Sequence, residues 1–201
     1  MLLPLHIFEA RYKQMIRKCL EGDQVFGVVL IKNGSEALGP LAEPYLIGCT
    51  ARIIETEPLE EGRLEINTVG ENRFRILKLH EGLPFLVGEV EDHPFTIGKP
   101  GELKIAADQL SPKVHQYINL LKRFEAFEFD PDGLPSDPIQ LANFAAALLQ
   151  MPPEDKQKLL EADSILELLE TTNRFYSREI AFLRAIIQRG RDQSKTPVSQ
   201  N

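Results

Sequence analysis

The spacing of apolar residues changes partway along the chain. Up to residue 104 it is mainly the two-residue period of strands, and from 105 to 190 it is almost entirely the three-to-four-residue period of helices. One helix is expected near the start. Phe8, Tyr12, Met15, Ile16, Cys19 and Leu20 share one face, Arg11, Lys13, Arg17 and Lys18 lie mostly off it, and Gly22 follows as a left-handed terminator. Val25 to Ile31 is a short, nearly continuous apolar run and reads as a strand buried on both faces. Asn33-Gly34 supplies a tight turn, and Tyr45 to Glu55 reads as the next strand.

Arg63 to Val69 alternates Leu64, Ile66 and Thr68 against Glu65 and Asn67, between Gly62 and Gly70. In Arg73 to Leu79 the phase breaks, with Phe74 and Ile76 on one face and Leu77 and Leu79 on the other, which predicts a bulge or burial of both faces. Phe85 to Asp92 closes the series, and short strands between Gly, Asn and Pro turns predict a compact barrel or sandwich. The Pro- and Gly-containing stretch Asp92 to Lys104 is assigned as a loop or junction.

In the second half, Ser111-Pro112 is read as a helix start before Val114, Tyr117, Ile118, Leu121 and Phe124. Asp137-Pro138 repeats that signal before Leu141, Phe144, Ala145, Leu148 and Leu149, and Pro152-Pro153 opens a short helix through Leu160. Ser164 with Glu167 forms a capping box ahead of a long helix carrying Ile165, Leu168, Leu169, Thr172, Phe175, Ile180, Leu183 and Ile187, ended by Gly190. The resulting division is residues 1–104 (β-rich with one helix), 105–190 (helical bundle) and 191–201 (a polar, disordered tail).

A formal charge of −7 and the absence of a basic block disfavour nucleic acid and anionic membrane surfaces as partners. No apolar run reaches the ~20 residues of a membrane span, and the start lacks the basic region of a signal peptide, so a cytoplasmic location is expected. Cys19 and Cys49, each within an apolar segment, read as buried free thiols.

The residues offer no case for catalysis. There is no phosphate-cradling GxxxxGK[ST] loop, no GxSxG and no HExxH, and His6, His80, His93 and His115 are far apart. Ser111, Ser136 and Ser164 are explained as helix-start residues, and Glu60-Glu61 and Glu91-Asp92 fall at turns. The expectation is a protein without enzymatic activity, cofactor or metal.

Leu3-Pro4-Leu5-His6-Ile7-Phe8-Glu9-Ala10-Arg11-Tyr12 resembles the LPLHIFEPRY signature of the Lon protease N-terminal domain family. Further segments agree in order: Phe26-Gly27-Val28-Val29, Ile47-Gly48-Cys49-Thr50-Ala51, Gly62-Arg63 with Gly70 to Ile76, and Asp155 to Glu161. The resemblance implies an α+β fold, a PUA-like β-barrel or sandwich subdomain followed by a C-terminal helical bundle. It also implies recognition of protein substrates, here without the ATPase and protease domains that follow in Lon proteases. The family normally places an apolar strand before this signature. Here the sequence begins inside the signature: either the start is assigned late or that strand is absent, and in the second case an unpaired edge is expected, to which a partner's extended segment adds.

The function expected is a non-enzymatic protein- or peptide-recognition module, an adaptor in protein quality control. Its partners are unfolded or exposed hydrophobic protein segments, with a protease or chaperone beside it. Leu5, Phe8, Arg11, Tyr12, Phe26 and Arg73 are the candidate peptide contacts. The alternatives are a PUA-like RNA-binding module, against which the acidic balance counts, and a small enzyme of unknown type.

Overall fold

The structure is a computed structural model that describes residues 2–34, 42–80, 82–124 and 133–194, with side chains through residue 189 except that of Phe124. It divides into two units, Met1–Pro94 and Phe95–Asn201. The first contains β1 (Leu2–Ile7), α1 (Ala10–Glu21), β2 (Val25–Val28), β3 (Ile31–Asn33), β4 (Glu43–Pro44), β5 (Ile47–Pro58), β6 (Leu64–His80) and β7 (Val87–Asp92). The second contains α2 (Pro100–Leu121), α3 (Pro138–Leu148), α4 (Pro153–Leu160) and α5 (Ile165–Ser194). The fold class is α+β, as the sequence implies.

The start of the chain corrects the sequence reading. Leu3, Leu5 and Ile7 turn inward while Leu2, Pro4 and His6 face out, so the stretch before the helix is a strand with a two-residue period. β1 is an edge strand, where Pro4 removes no needed ladder donor. The helix begins only at Ala10, which leaves Phe8 between strand and helix and 60% exposed. Gly22 is not left-handed. Gln24 takes the positive φ of 63°, and its N–H donates to the Cys19 carbonyl at 2.9 Å, closing the turn.

The main sheet runs β1-β6-β5-β2, all antiparallel, and β7 also pairs with β6. β1 pairs with Leu64 to Val69 and β7 with Phe74 to His80, while β5 pairs with the other side of both stretches. β1 and β7 therefore lie end to end along one edge of β6. The two strands expected at 63–69 and 73–79 are one, because Gly70 stays paired with Ala51 and a bulge next to it sets Thr50 of β5 against Glu71 and Asn72 of β6. The apolar run at 25–31 is split between β2 and β3 and is only half-buried, because β3 leaves to pair with β4. Gly34 has the expected positive φ of 95°, and residues 35–41, between it and β4, lie outside the described residues.

Helix α1 covers one face of this sheet. Its fully buried Ile16 packs with Ile7, Ile53 and Ile66, and half-buried Leu5, Tyr12, Met15, Cys19, Leu20 and Phe26 surround them. The buried Thr68 hydroxyl donates to the Leu3 carbonyl at 2.9 Å, which satisfies a polar group inside that layer.

The division at residue 94 precedes the change of period near 104 because α2 starts with Pro100. Pro at the first helical position costs no hydrogen bond. Ser111 and Pro112 are therefore interior, not a start, and α2 runs through them. The core of this unit joins Leu110, Val114, Tyr117 and Ile118 of α2 to Leu141 and Ala145 of α3 and Leu168, Leu169, Thr172 and Tyr176 of α5. Asp137 caps α3 by accepting from the N–H groups of Ile139 and Gln140. The Ser164 hydroxyl accepts from the Glu167 N–H, and the Glu167 carboxylate accepts from the Asp163 N–H, one residue before the reciprocal partner of a standard capping box. Gly190 does not end α5, which continues to Ser194; the rest of the expected tail, 195–201, lies outside the described residues.

Candidate peptide-recognition surface

Side chains opposite one another in a sheet share a face. Ile76 pairs with Val90 and Leu79 with Gly88, and the Ile76 N–H donates to the Leu46 carbonyl at 2.8 Å, which sets Leu46 across from Ile76. The register shift between Ile76 and Lys78 is the bulge that the phase break predicts. It returns Leu79 to the face of Ile76. Gly88 confirms this geometry, since a Cβ there would stand 3.5 Å from Leu79 Cδ2 and 3.7 Å from Ile76 Cγ2.

The result is an apolar row across three strands. Ile76 is buried in its middle, while Leu46 is 57%, Val90 50% and Leu79 36% exposed. The opposite face of the β6–β7 hairpin is mainly polar, although it also carries Val87 and exposes Leu77 at 59%. There the Arg75 guanidinium meets Glu91 at 3.4 Å and His93 Nε2 at 3.1 Å, and His80 Nε2 lies 2.8 Å from Glu89. The hairpin is thus amphipathic, and its apolar face is left half-exposed. Clusters of this kind mark interaction surfaces on proteins. β1, at the end of the strand order, offers a second feature, because its outer edge has no strand partner among the described residues.

The sequence candidates do not converge on one site. Leu5, Tyr12 and Phe26 pack together around the Ile16 layer. Phe8 stands outside it and stacks on His6, with ring centroids 5.9 Å apart. Arg11 pairs with Glu9 at 2.9 Å and lies over the Tyr12 ring at 4.5 Å. Arg73 is buried opposite Cys49 on β5. The row of Leu46, Leu79 and Val90 was missed. The broken phase at Leu77 predicts a bulge or burial of both faces, but does not by itself say which residues a bulge returns to one face.

Burial raises the pKa of both thiols, with Asp23 adding to the effect at Cys19 and Arg73 opposing it at Cys49. Neither is a ready thiolate at neutral pH. Among the described residues no three His, Cys, Asp or Glu side chains gather as a metal site, and no helix is long and apolar enough to cross a membrane.

A family model for the substrate-binding domain of the ATP-dependent protease La (LON) matches residues 1–178. The chain is 28% identical over 162 residues to Lon protease 2 of Myxococcus xanthus, covering 79% of this chain and 19% of that protein. It is 24% identical over 183 residues to the Lon protease of Azospirillum brasilense, covering 91% of this chain and 23% of that one. It therefore spans only about a quarter or less of these relatives. Among solved structures, a Lon N-terminal domain protein from Xanthomonas campestris superposes with a TM-score of 0.55 at 24% identity, covering 85% of this chain and 86% of that chain. The N-terminal domain of the Mycobacterium avium complex Lon protease does so at 0.64 and 16%, covering 88% and 90%.

Proposed function

The chain belongs to the Lon substrate-binding domain family, and from that premise we propose that it recognises protein segments that expose apolar residues, with no chemistry of its own to act on them. The observation that carries this reading is the half-exposed row of Leu46, Leu79 and Val90 on an amphipathic hairpin. Covering such a side chain removes apolar area from water at about 25 cal/mol per Å², so a few contacts give a weak, sequence-tolerant affinity. That suits a module that samples exposed apolar segments. In this reading Phe8, exposed beside His6, adds a separate contact, whereas Leu5, Tyr12 and Phe26 pack within the Ile16 layer. The role is that of an adaptor in protein quality control, presenting bound segments to a protease or chaperone in the cytoplasm.

The test is a fluorescence-anisotropy titration of a reduced and alkylated, permanently unfolded polypeptide against the protein and a Leu46→Asp/Val90→Asp variant. Both positions are exposed, so the melting temperature should hold while affinity falls by roughly tenfold. Equal binding by a folded variant would remove the row as the recognition surface. Preferential, salt-sensitive binding of a single-stranded RNA would favour the RNA-binding alternative instead.

A further inference from the structure

The chain is acidic overall, yet two helical stretches of the second unit contain no carboxylate. Residues 112–124, from α2 onward, carry Lys113, Lys122 and Arg123, and residues 180–189 of α5 carry Arg184 and Arg189. The fold sets these stretches side by side along a groove of about 640 Å³. Arg123, Arg184 and His115 line it together with the amides of Gln116, Asn119 and Gln188. Leu120 and Ile187 form its apolar part. Among the described residues, no Asp or Glu lines it.

Lys99, Lys104, Lys158 and Arg178 each hold a carboxylate within 4 Å, but Arg123 and Arg184 make no ion pair among the described residues. Several other cations of this unit, among them Lys113, Lys122, Lys156, Arg174 and Arg189, likewise make no ion pair among the described residues, and what sets Arg123 and Arg184 apart is that they converge on one groove. Helix C-terminal partial charge favours cations at the ends of helices but leaves their side-chain donors free. His115 is held in place, since its Nδ1 lies 2.8 Å from the Ser111 carbonyl and must donate to it. Its Nε2 is then available to accept from a hydrogen phosphate or, when protonated, to donate to an oxyanion.

Planar guanidinium forks match the oxygens of phosphate and carboxylate, and the amides supply further neutral donors. The volume falls within the range of small-molecule sites. The geometry points to a binding site for a small organic oxyanion, a phosphate- or carboxylate-bearing molecule whose body rests on Leu120 and Ile187. The site is independent of the apolar row, and neither needs the other to hold.

Calorimetric titration with inorganic pyrophosphate, and separately with citrate, tests the inference and separates phosphate from carboxylate as the preferred group. One double variant, Arg123→Gln/Arg184→Gln, removes the forks. A second, Lys122→Gln/Arg189→Gln, lowers net charge equally at positions that do not line the groove. All four side chains are exposed, and circular dichroism checks that both variants stay folded. The expected result is one-to-one binding of at least one anion at moderate salt, weakened roughly tenfold or more by the first variant and left within about twofold by the second. No binding of either anion to the unaltered chain, or equal weakening by both variants, overturns it, the latter because a diffuse field would then suffice.

Discussion

The ring of Phe74 lies over Gly48, its pairing partner across β5 and β6, where a side chain on the glycine would otherwise stand. A Cβ on Gly48 would sit 2.9 Å from Phe74 Cζ, 2.5 Å from the Val28 carbonyl oxygen and 2.6 Å from Val29 Cγ1. A Cβ on Gly27 would meet the Phe74 ring first, at 3.0 Å. The segments 26–29, 47–51 and 70–76, which carry the family resemblance, thus meet at one packing point. Gly48→Ala should cost about 2–3 kcal/mol and Gly27→Ala about 1 kcal/mol, because overpacking forces neighbours to shift. In double-mutant cycles by urea denaturation, Phe74→Leu should relieve most of the Gly27 cost and little of the Gly48 cost. Full relief at both sites would mean that the Val28 backbone gives way.

Tyr176 and Tyr117 meet edge to face, with centroids 5.2 Å apart, and both secure the end of α3. The Tyr176 hydroxyl donates to the Ala145 carbonyl at 3.0 Å, one of the last carbonyls of that helix, and the Tyr117 hydroxyl accepts from the Gln150 N–H at 3.0 Å. Tyr176→Phe should cost about 1–2 kcal/mol, because the buried carbonyl loses its partner. Burial pushes both phenols above the usual range, Tyr176 furthest. A raised folded-state pKa gives stability that is full below the unfolded pKa of about 10 and is lost as pH rises toward the folded value. Of the four tyrosines, these two should resist ionisation until the chain unfolds, seen as a late, cooperative rise of phenolate absorbance. Smooth titration of all four on the folded protein would contradict the packing.

How much of this was legible in advance follows from the range of the forces involved. The change of period, the cap at Asp137 and the Pro153 start depend on neighbours within a turn, and the sequence carries them. Pro112 misled because a proline that starts one helix can equally sit inside another, and what decides is the apolar face of Leu103, Ala106, Ala107 and Leu110 before it. β1 was missed because its two-residue period runs directly into the three-to-four period of α1, and Phe8 fits both. The pairing of Arg123 with Arg184 across one groove joins positions far apart in the chain, which no local pattern encodes.

Asp155 accepts from Lys158 at 2.7 Å and from Arg178 of α5 at 2.8 Å, and these two cations hold its carboxyl below the usual range. A depressed folded-state pKa gives stability that is present above the unfolded value, near 3.8, and disappears as pH falls through the folded one. Asp155→Asn should therefore melt lower than the unaltered protein at neutral pH, with the gap closing below the ordinary carboxylate range and shrinking in high salt. Both cations are exposed, so the effect is modest. A gap that persists in strong acid would assign the loss to packing instead.

Phe8 and Tyr12 stand four residues apart in the family signature, but the structure gives them different work. Phe8 is exposed beside His6, while Tyr12 packs against the layer of Ile7, Ile16, Ile53 and Ile66 and carries Arg11 over its ring. Tyr12→Ala should lower stability by about 2 kcal/mol, since it removes a half-buried aromatic ring, and any loss of binding it causes would track unfolding. Phe8→Ser should leave stability within about 0.5 kcal/mol, as substitutions at solvent-facing positions do. On the proposed function it should still weaken capture of the unfolded polypeptide, because the aromatic contact is lost while the fold is kept. Urea titration and anisotropy on the same samples separate the two effects. If Phe8→Ser binds as tightly as the unaltered chain, recognition is confined to the Leu46, Leu79 and Val90 row, and Phe8 has no part in it.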